Sequence, residues 1–121
     1  MGASTAHSIA NLNVIGTLQL STSTTTVTTS MVVNASATIT PATSTLNFNP
    51  PNLSTLCDFF HAGKTYNNIT VNGSQVRFIG TASPTLTCVN FTRTGAADVY
   101  SFLQLLNTNI TASGTITLTG N

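Results

Sequence analysis

A two-residue rhythm runs through most of this chain and limits what it can fold into. From Ala10 to Leu20 the even positions are Ala10, Leu12, Val14, Gly16, Leu18 and Leu20, while Asn11, Asn13, Thr17 and Gln19 stand between them and Ile15 is the exception. Alternation of this kind buries one face of an extended segment and leaves the other in water. Thr24 to Val33 follows with Val27, Met31 and Val33 on one face and Thr25 and Thr29 between them, a β-branched composition that suits strands. Ala35 to Thr40 and Thr43 to Phe48 are two shorter strands divided at Pro41, and Pro50 and Pro51 end the run because neither can donate a ladder hydrogen bond.

Beyond the prolines the spacing changes. Leu53, Leu56, Cys57 and Phe60 stand at i, i+3, i+4 and i+7, with Asn52 placed to cap the N-terminus and Gly63 the C-terminus, which predicts a short helix. Tyr66 to Val71 and Gln75 to Thr81 flank Asn72-Gly73, the pair that a type I′ hairpin turn favours. Thr85 to Arg93 reads as one strand. Ala96 to Asn107 returns to helical spacing through Val99, Phe102, Leu103 and Leu106, and Asp98 lies near the positive N-terminal end of that helix. Ile110, Ala112, Gly114, Ile116 and Leu118 share one face of a last strand. The expected fold is mainly β: a β-sandwich or jelly-roll-like domain, pilin- or Ig-like, with two short helices.

Charge decides what such a domain can do. Only Lys64, Arg77, Arg93, Asp58 and Asp98 are charged, 4% of 121 residues, against roughly 25% in an ordinary soluble domain. Ser and Thr together number 37, and the net charge is +1. A nearly neutral chain without a charged coat tends to associate, so sugar or neighbouring copies of the chain are expected to cover it. Three basic residues cannot form the positive stripe that nucleic-acid binding needs. No run of apolar residues is long enough to span a bilayer. The cysteines Cys57 and Cys88 fit one disulfide, which would close a loop worth about 3 to 4 kcal/mol and imply an oxidising, extracellular setting.

The row Ala10, Leu12, Val14, Gly16, Leu18, Leu20, with its central glycine, resembles the N-terminal extensions of donor-strand-assembled pilins, and the Ser/Thr-rich body resembles subunits of glycosylated extracellular fibrils. The resemblance implies that residues 1–20 are a leader and a donor strand, and that residues 21–121 form a single sandwich domain. It also implies that identical copies assemble head to tail, the incoming strand seating in a groove along Ile110, Ala112, Gly114, Ile116 and Leu118. Cys57 comes later in the chain than the first cysteine of classical chaperone-usher pilins, so the assembly principle is carried over without the secretion machinery.

Six sites match the acceptor pattern for N-linked sugar, at Asn34, Asn52, Asn68, Asn72, Asn90 and Asn109, and the run containing Thr22, Thr24, Thr25, Thr26, Thr28 and Thr29 offers O-linked positions. Asp58 and His61 with a nearby serine could formally make a triad, and Cys57, Asp58, His61 and Cys88 hold four metal-ligand types. The spacing of neither set is that of a working site, so no catalytic residue, metal or cofactor is expected. The reading that follows is a non-enzymatic, extracellular, glycosylated filament subunit, with a virion surface or decoration protein, or a carbohydrate-binding module using Tyr66 or Tyr100, as alternatives. A threonine array for ice binding has Thr24, Thr26 and Thr28 in its favour and the lack of a sustained sequence repeat against it.

Overall fold

A computed structural model describes residues 6–72, 75–94 and 101–119. Among the described residues there are thirteen strands and no helix: β1 (Ala6–Val14), β2 (Thr17–Gln19), β3 (Thr24–Val33), β4 (Thr38–Thr40), β5 (Thr45–Phe48), β6 (Leu56–Phe60), β7 (Asn68–Val71), β8 (Gln75–Ile79), β9 (Thr85–Cys88), β10 (Asn90–Thr94), β11 (Phe102–Leu106), β12 (Asn109–Ala112) and β13 (Ile116–Thr119). Every pairing between these strands is parallel. Parallel neighbours cannot be joined by a tight turn. Each strand therefore pairs with one about a coil away in sequence, and the chain winds as a β-solenoid.

Three walls enclose the core. The first wall stacks the opening half of β1, the opening half of β3, and then β5, β7, β10 and β13. The second wall stacks the closing halves of β1 and β3 with β6, β8 and β11. The third pairs β2 with β4 and β9 with β12, and a bridge from Thr65 to Thr87 ties the third coil to the fourth. β1 and β3 turn the corner between the first two walls without a break in the chain, with a register shift between Ile9 and Asn11.

The sandwich, the two helices and the pilin-like domain are corrected by this architecture. Alternation along a strand reports that one face is buried, but not whether the neighbouring strand is parallel or how far away in sequence it lies. The segment Ala10 to Leu20 is two strands of the same chain: β1 pairs with β3, β2 pairs with β4, and the corner falls at Ile15 and Gly16. Val14 and Leu20 enter the core of their own solenoid, and Leu12 and Leu18 pack against it, so this segment completes its own fold and does not serve as a donor strand. The last predicted strand likewise divides into β12 and β13, which pair with β9 and β10 of the same chain in place of an incoming strand: Ile110 and Ala112 stand beside Leu86 and Cys88, Ile116 beside Phe91, and Leu118 beside Arg93, with Ile116 and Leu118 exposed. β7 and β8 belong to different walls and do not pair with each other, which replaces the hairpin at Asn72-Gly73 with a corner; Gly73 lies outside the described residues.

Both predicted helices become strands, β6 and β11, for one reason. Cys57 and Phe59 face inward and are fully buried, while Leu56 and Phe60 are apolar residues on the outer side. Leu103 packs against the core, while Phe102 and Leu106 are exposed. Apolar residues on both sides of a strand imitate helical spacing. Val99 and Asp98 lie outside the described residues.

An aromatic column fills the interior. Phe48 stacks on Phe59 at 4.6 Å between ring centroids, and Phe78 meets Phe59 edge-on at 5.1 Å and Phe91 at 6.1 Å. Offset and edge-on contacts of this kind add about 0.5 to 1.5 kcal/mol each beyond area burial. Corners are made where the backbone can take a left-handed turn: Ala62 and Gly63 have φ of 51° and 67°, and a Cβ on Gly63 would run into Ser83.

Candidate binding face

Parallel register turns separate stretches of sequence into columns. On the outer side of the first wall, Thr24, Thr45, Asn68 and Asn90 stand beside one another, and Thr115 continues the column by donating its backbone N–H to Asn90 Oδ1 at 3.0 Å. Two residues along each strand, Thr26, Asn47, Thr70, Thr92 and Thr117 make a second column that begins at Ser8 of β1. From Thr24 onward each position in both columns is threonine or asparagine. Their inward neighbours include the buried Thr25 and the core residues Val27, Leu46, Phe48, Ile69, Val71 and Phe91. Strand geometry sets the mesh at about 4.8 Å between coils and about 6.6 Å along a strand.

The carboxamides are fixed along the solenoid axis. Asn90 Nδ2 donates to Asn68 Oδ1 at 2.8 Å, Asn72 Nδ2 to Asn47 Oδ1 at 2.9 Å, and Asn47 Nδ2 to Thr26 Oγ1 at 3.3 Å. β-branched threonines are stiff at χ1, so the remaining positions are also held. Among the described residues no charged side chain belongs to the two columns. Arg93 has an inward register position beside Val71, where burial lowers its pKa, and it donates to Thr94 O and Ser101 Oγ.

Other sequence candidates fall elsewhere. Asp58 faces outward on the second wall and accepts a bidentate pair from Arg77 at 2.7 and 2.8 Å. His61 is fully buried: its Nδ1 accepts from the Gly63 N–H at 3.0 Å, so the proton sits on Nε2 and points to Thr108 Oγ1 at 2.9 Å. The structure therefore separates the acid from the imidazole of the formal triad. Cys57 and Cys88 are free, buried thiols, which corrects the expected disulfide. Desolvation, helped by the Asp58 charge, pushes the Cys57 thiol up to about 12, and burial raises Cys88 as well. Tyr66 is buried with its hydroxyl donating to His61 O at 3.2 Å, so it offers no platform for a sugar, and Tyr100 lies outside the described residues.

The six sequons divide into two groups. Asn68, Asn72 and Asn90 belong to the carboxamide ladders of the first wall, where a glycan would cover the mesh. Asn34, Asn52 and Asn109 are exposed and lie off it; Asn34 and Asn52 accept from Ser36 and Ser54 in local turns. Of the O-linked candidates, Thr25 is buried and Thr24 and Thr26 belong to the mesh, while Thr22 and Thr29 are exposed and Thr28 is half-buried.

Sequence reasoning located Thr24 and Thr26 of the columns, together with Thr28 outside them, and missed the rest, because the repeat exists in space and not in the text of the sequence. Coil lengths vary: the register partners Asp58 and Arg77 are 19 residues apart, and Asn68 and Asn90 are 22 apart. Among the described residues no helix is long and apolar enough to cross a membrane, and no group of three or more His, Cys, Asp or Glu is placed to hold a metal. The class defined by this geometry is a β-solenoid with an uncharged hydroxyl and carboxamide face among the described residues. Comparison with family models, characterised proteins and solved structures finds no match.

Proposed function

We propose that the first wall is a lattice-binding surface and that its ligand is ice. The observation that carries the reading is the two-dimensional regularity of the Thr/Asn columns. Their mesh of about 4.8 by 6.6 Å lies close to the repeat of oxygen atoms on the faces of an ice crystal. Each threonine offers a hydroxyl that can occupy a lattice position and a methyl that excludes disordered water. One such hydrogen bond is worth only about 0.5 to 1.5 kcal/mol net. Many made together by a rigid surface act as a multivalent contact with little ordering cost.

The test is thermal hysteresis of the purified chain, with partition into a slowly grown ice phase as a second readout. Thr70→Lys and Thr92→Lys should each remove most of the activity while leaving the folded circular-dichroism spectrum unchanged, and Gln104→Lys on the second wall should leave activity intact. A wild-type chain that neither depresses freezing nor enters the ice phase overturns the reading.

A carbohydrate-binding module is the second reading, favoured by the carboxamide rows Asn68–Asn90 and Asn47–Asn72, whose donors and acceptors suit the diols of an extended polysaccharide. Retention on insoluble polysaccharide without thermal hysteresis would select it. In either case the chain is read as non-enzymatic and as working outside a cell or on a particle surface, virions included. That placement rests on the ligand, because Cys57 and Cys88 give no support as a disulfide.

A further inference from the structure

The outer side of the second wall differs from the first. Val32, Phe60, Ile79 and Leu106 stand in one register column, all apolar and all facing away from the core; Val32 and Leu106 are 39% and 36% exposed. The adjacent outer column runs Asn11, Ser30, Asp58, Arg77, Gln104, and the first coil puts Asn13 beside Val32, so the Asp58–Arg77 ion pair sits between the third and fourth coils, at the middle of the four coils that carry the apolar column. A stripe of this kind across a molecule with almost no surface charge needs a cover.

We propose that the cover is the same wall of a second copy, packed face to face in antiparallel orientation about a two-fold axis that runs along the strands between β6 and β8. That operation keeps each column opposite itself and exchanges the coils. Phe60 then meets Ile79 of the other copy, and Val32 meets Leu106. Asp58 faces Arg77 and Arg77 faces Asp58, so four charges alternate in sign at the centre. The isologous arrangement is the commonest for soluble oligomers. A parallel stacking of the two solenoids would lose this match, because it would bring different columns together. Four coils are exchanged by this axis, β3 with β11 and β6 with β8, and at about 4.8 Å per coil by five residues of about 3.3 Å they give roughly 320 Å² of wall per copy, the size of a weak, transient contact, so association is expected only at high micromolar concentrations and above.

The experiment is sedimentation velocity over a concentration series, joined to disulfide trapping. Wild type should shift from monomer to dimer, and Val32→Lys or Leu106→Lys should each abolish the shift while keeping the folded spectrum. Mixed Val32→Cys and Leu106→Cys chains should cross-link to each other more than tenfold faster than either does to itself. Asp58→Arg should prevent dimerisation, and Asp58→Arg with Arg77→Asp should restore it. A wild-type monomer at all concentrations overturns the proposal, as does preferential trapping of Val32→Cys with itself. Neither readout depends on what the Thr/Asn wall binds, so ice binding can fail while the dimer stands.

Discussion

His61 spans the inside of the solenoid from the third coil to the fifth, its Nε2–H donating to Thr108 Oγ1 at 2.9 Å. Thr108 passes the contact on, with its hydroxyl within reach of Phe78 O at 3.1 Å and Leu106 O at 2.9 Å, while Gly63 N–H fixes the other ring nitrogen as an acceptor. The imidazole is thus a neutral cross-brace among three coils, with no room for a second proton.

Burial lowers the His61 pKa from 6.5 to about 4. Above pH 6.5 the ring is neutral in both folded and unfolded chains, and its contribution is fully present. As pH falls from 6.5 towards 4 the unfolded ring takes a proton that the folded ring refuses, and stability is lost. The loss should reach about 3 kcal/mol and level off below pH 4. Urea unfolding at pH 7, 5 and 4 checks this, and His61→Gln should flatten the dependence over that interval.

Gly80 is the corner at which the fourth coil passes beneath the fifth. Its N–H donates to Leu106 O, Asn107 Nδ2 donates to its carbonyl, and a Cβ there would overlap Asn107 O and crowd Ser83 O and Pro84 Cα. These neighbours are backbone and cannot rotate away. Gly80→Ala is expected to cost about 2 to 3 kcal/mol, read as a lower urea midpoint with unchanged slope.

With both thiols free, buried and raised in pKa, thiolate chemistry is suppressed in the native state. A thiol reagent at pH 8 should label neither cysteine until denaturant is added, then both. Reductant should leave the melting temperature unchanged; a fall of several degrees would show that a disulfide forms after all.

Phe59 is the hub of the aromatic column, touching Phe48, Tyr66, Phe78 and His61 at centroid distances of 4.6, 5.3, 5.1 and 5.9 Å. Phe59→Ala should cost about 3 to 5 kcal/mol, and Phe59→Leu less than half of that, by thermal or urea unfolding.

Much of the local structure was legible. The in-and-out order of Leu46, Phe48, Ile69, Val71, Val76 and Phe78 follows from alternation, and all six are buried. Strand direction and wall assignment were not legible, because a corner such as Ile15–Gly16 leaves the two-residue rhythm nearly intact and a parallel partner about 20 residues away has no local signature. The helix reading at Leu53 to Phe60 failed on residues that the second wall turns outward, so the misleading spacing and the proposed contact between copies have a common source. Of the mesh, the sequence showed only Thr24 and Thr26, since Asn68 and Thr92 become its neighbours through register alone.

Because parallel register carries each coil onto the next, the Thr/Asn wall can be resized without redesign. Duplicating one turn of the spiral, for instance the span from Thr45 to Asn67, would insert another row of side chains at the same pitch while leaving the rows on either side in step. The area of the proposed binding face would then scale with the number of turns, which makes chain length itself a dial that selection or engineering can adjust.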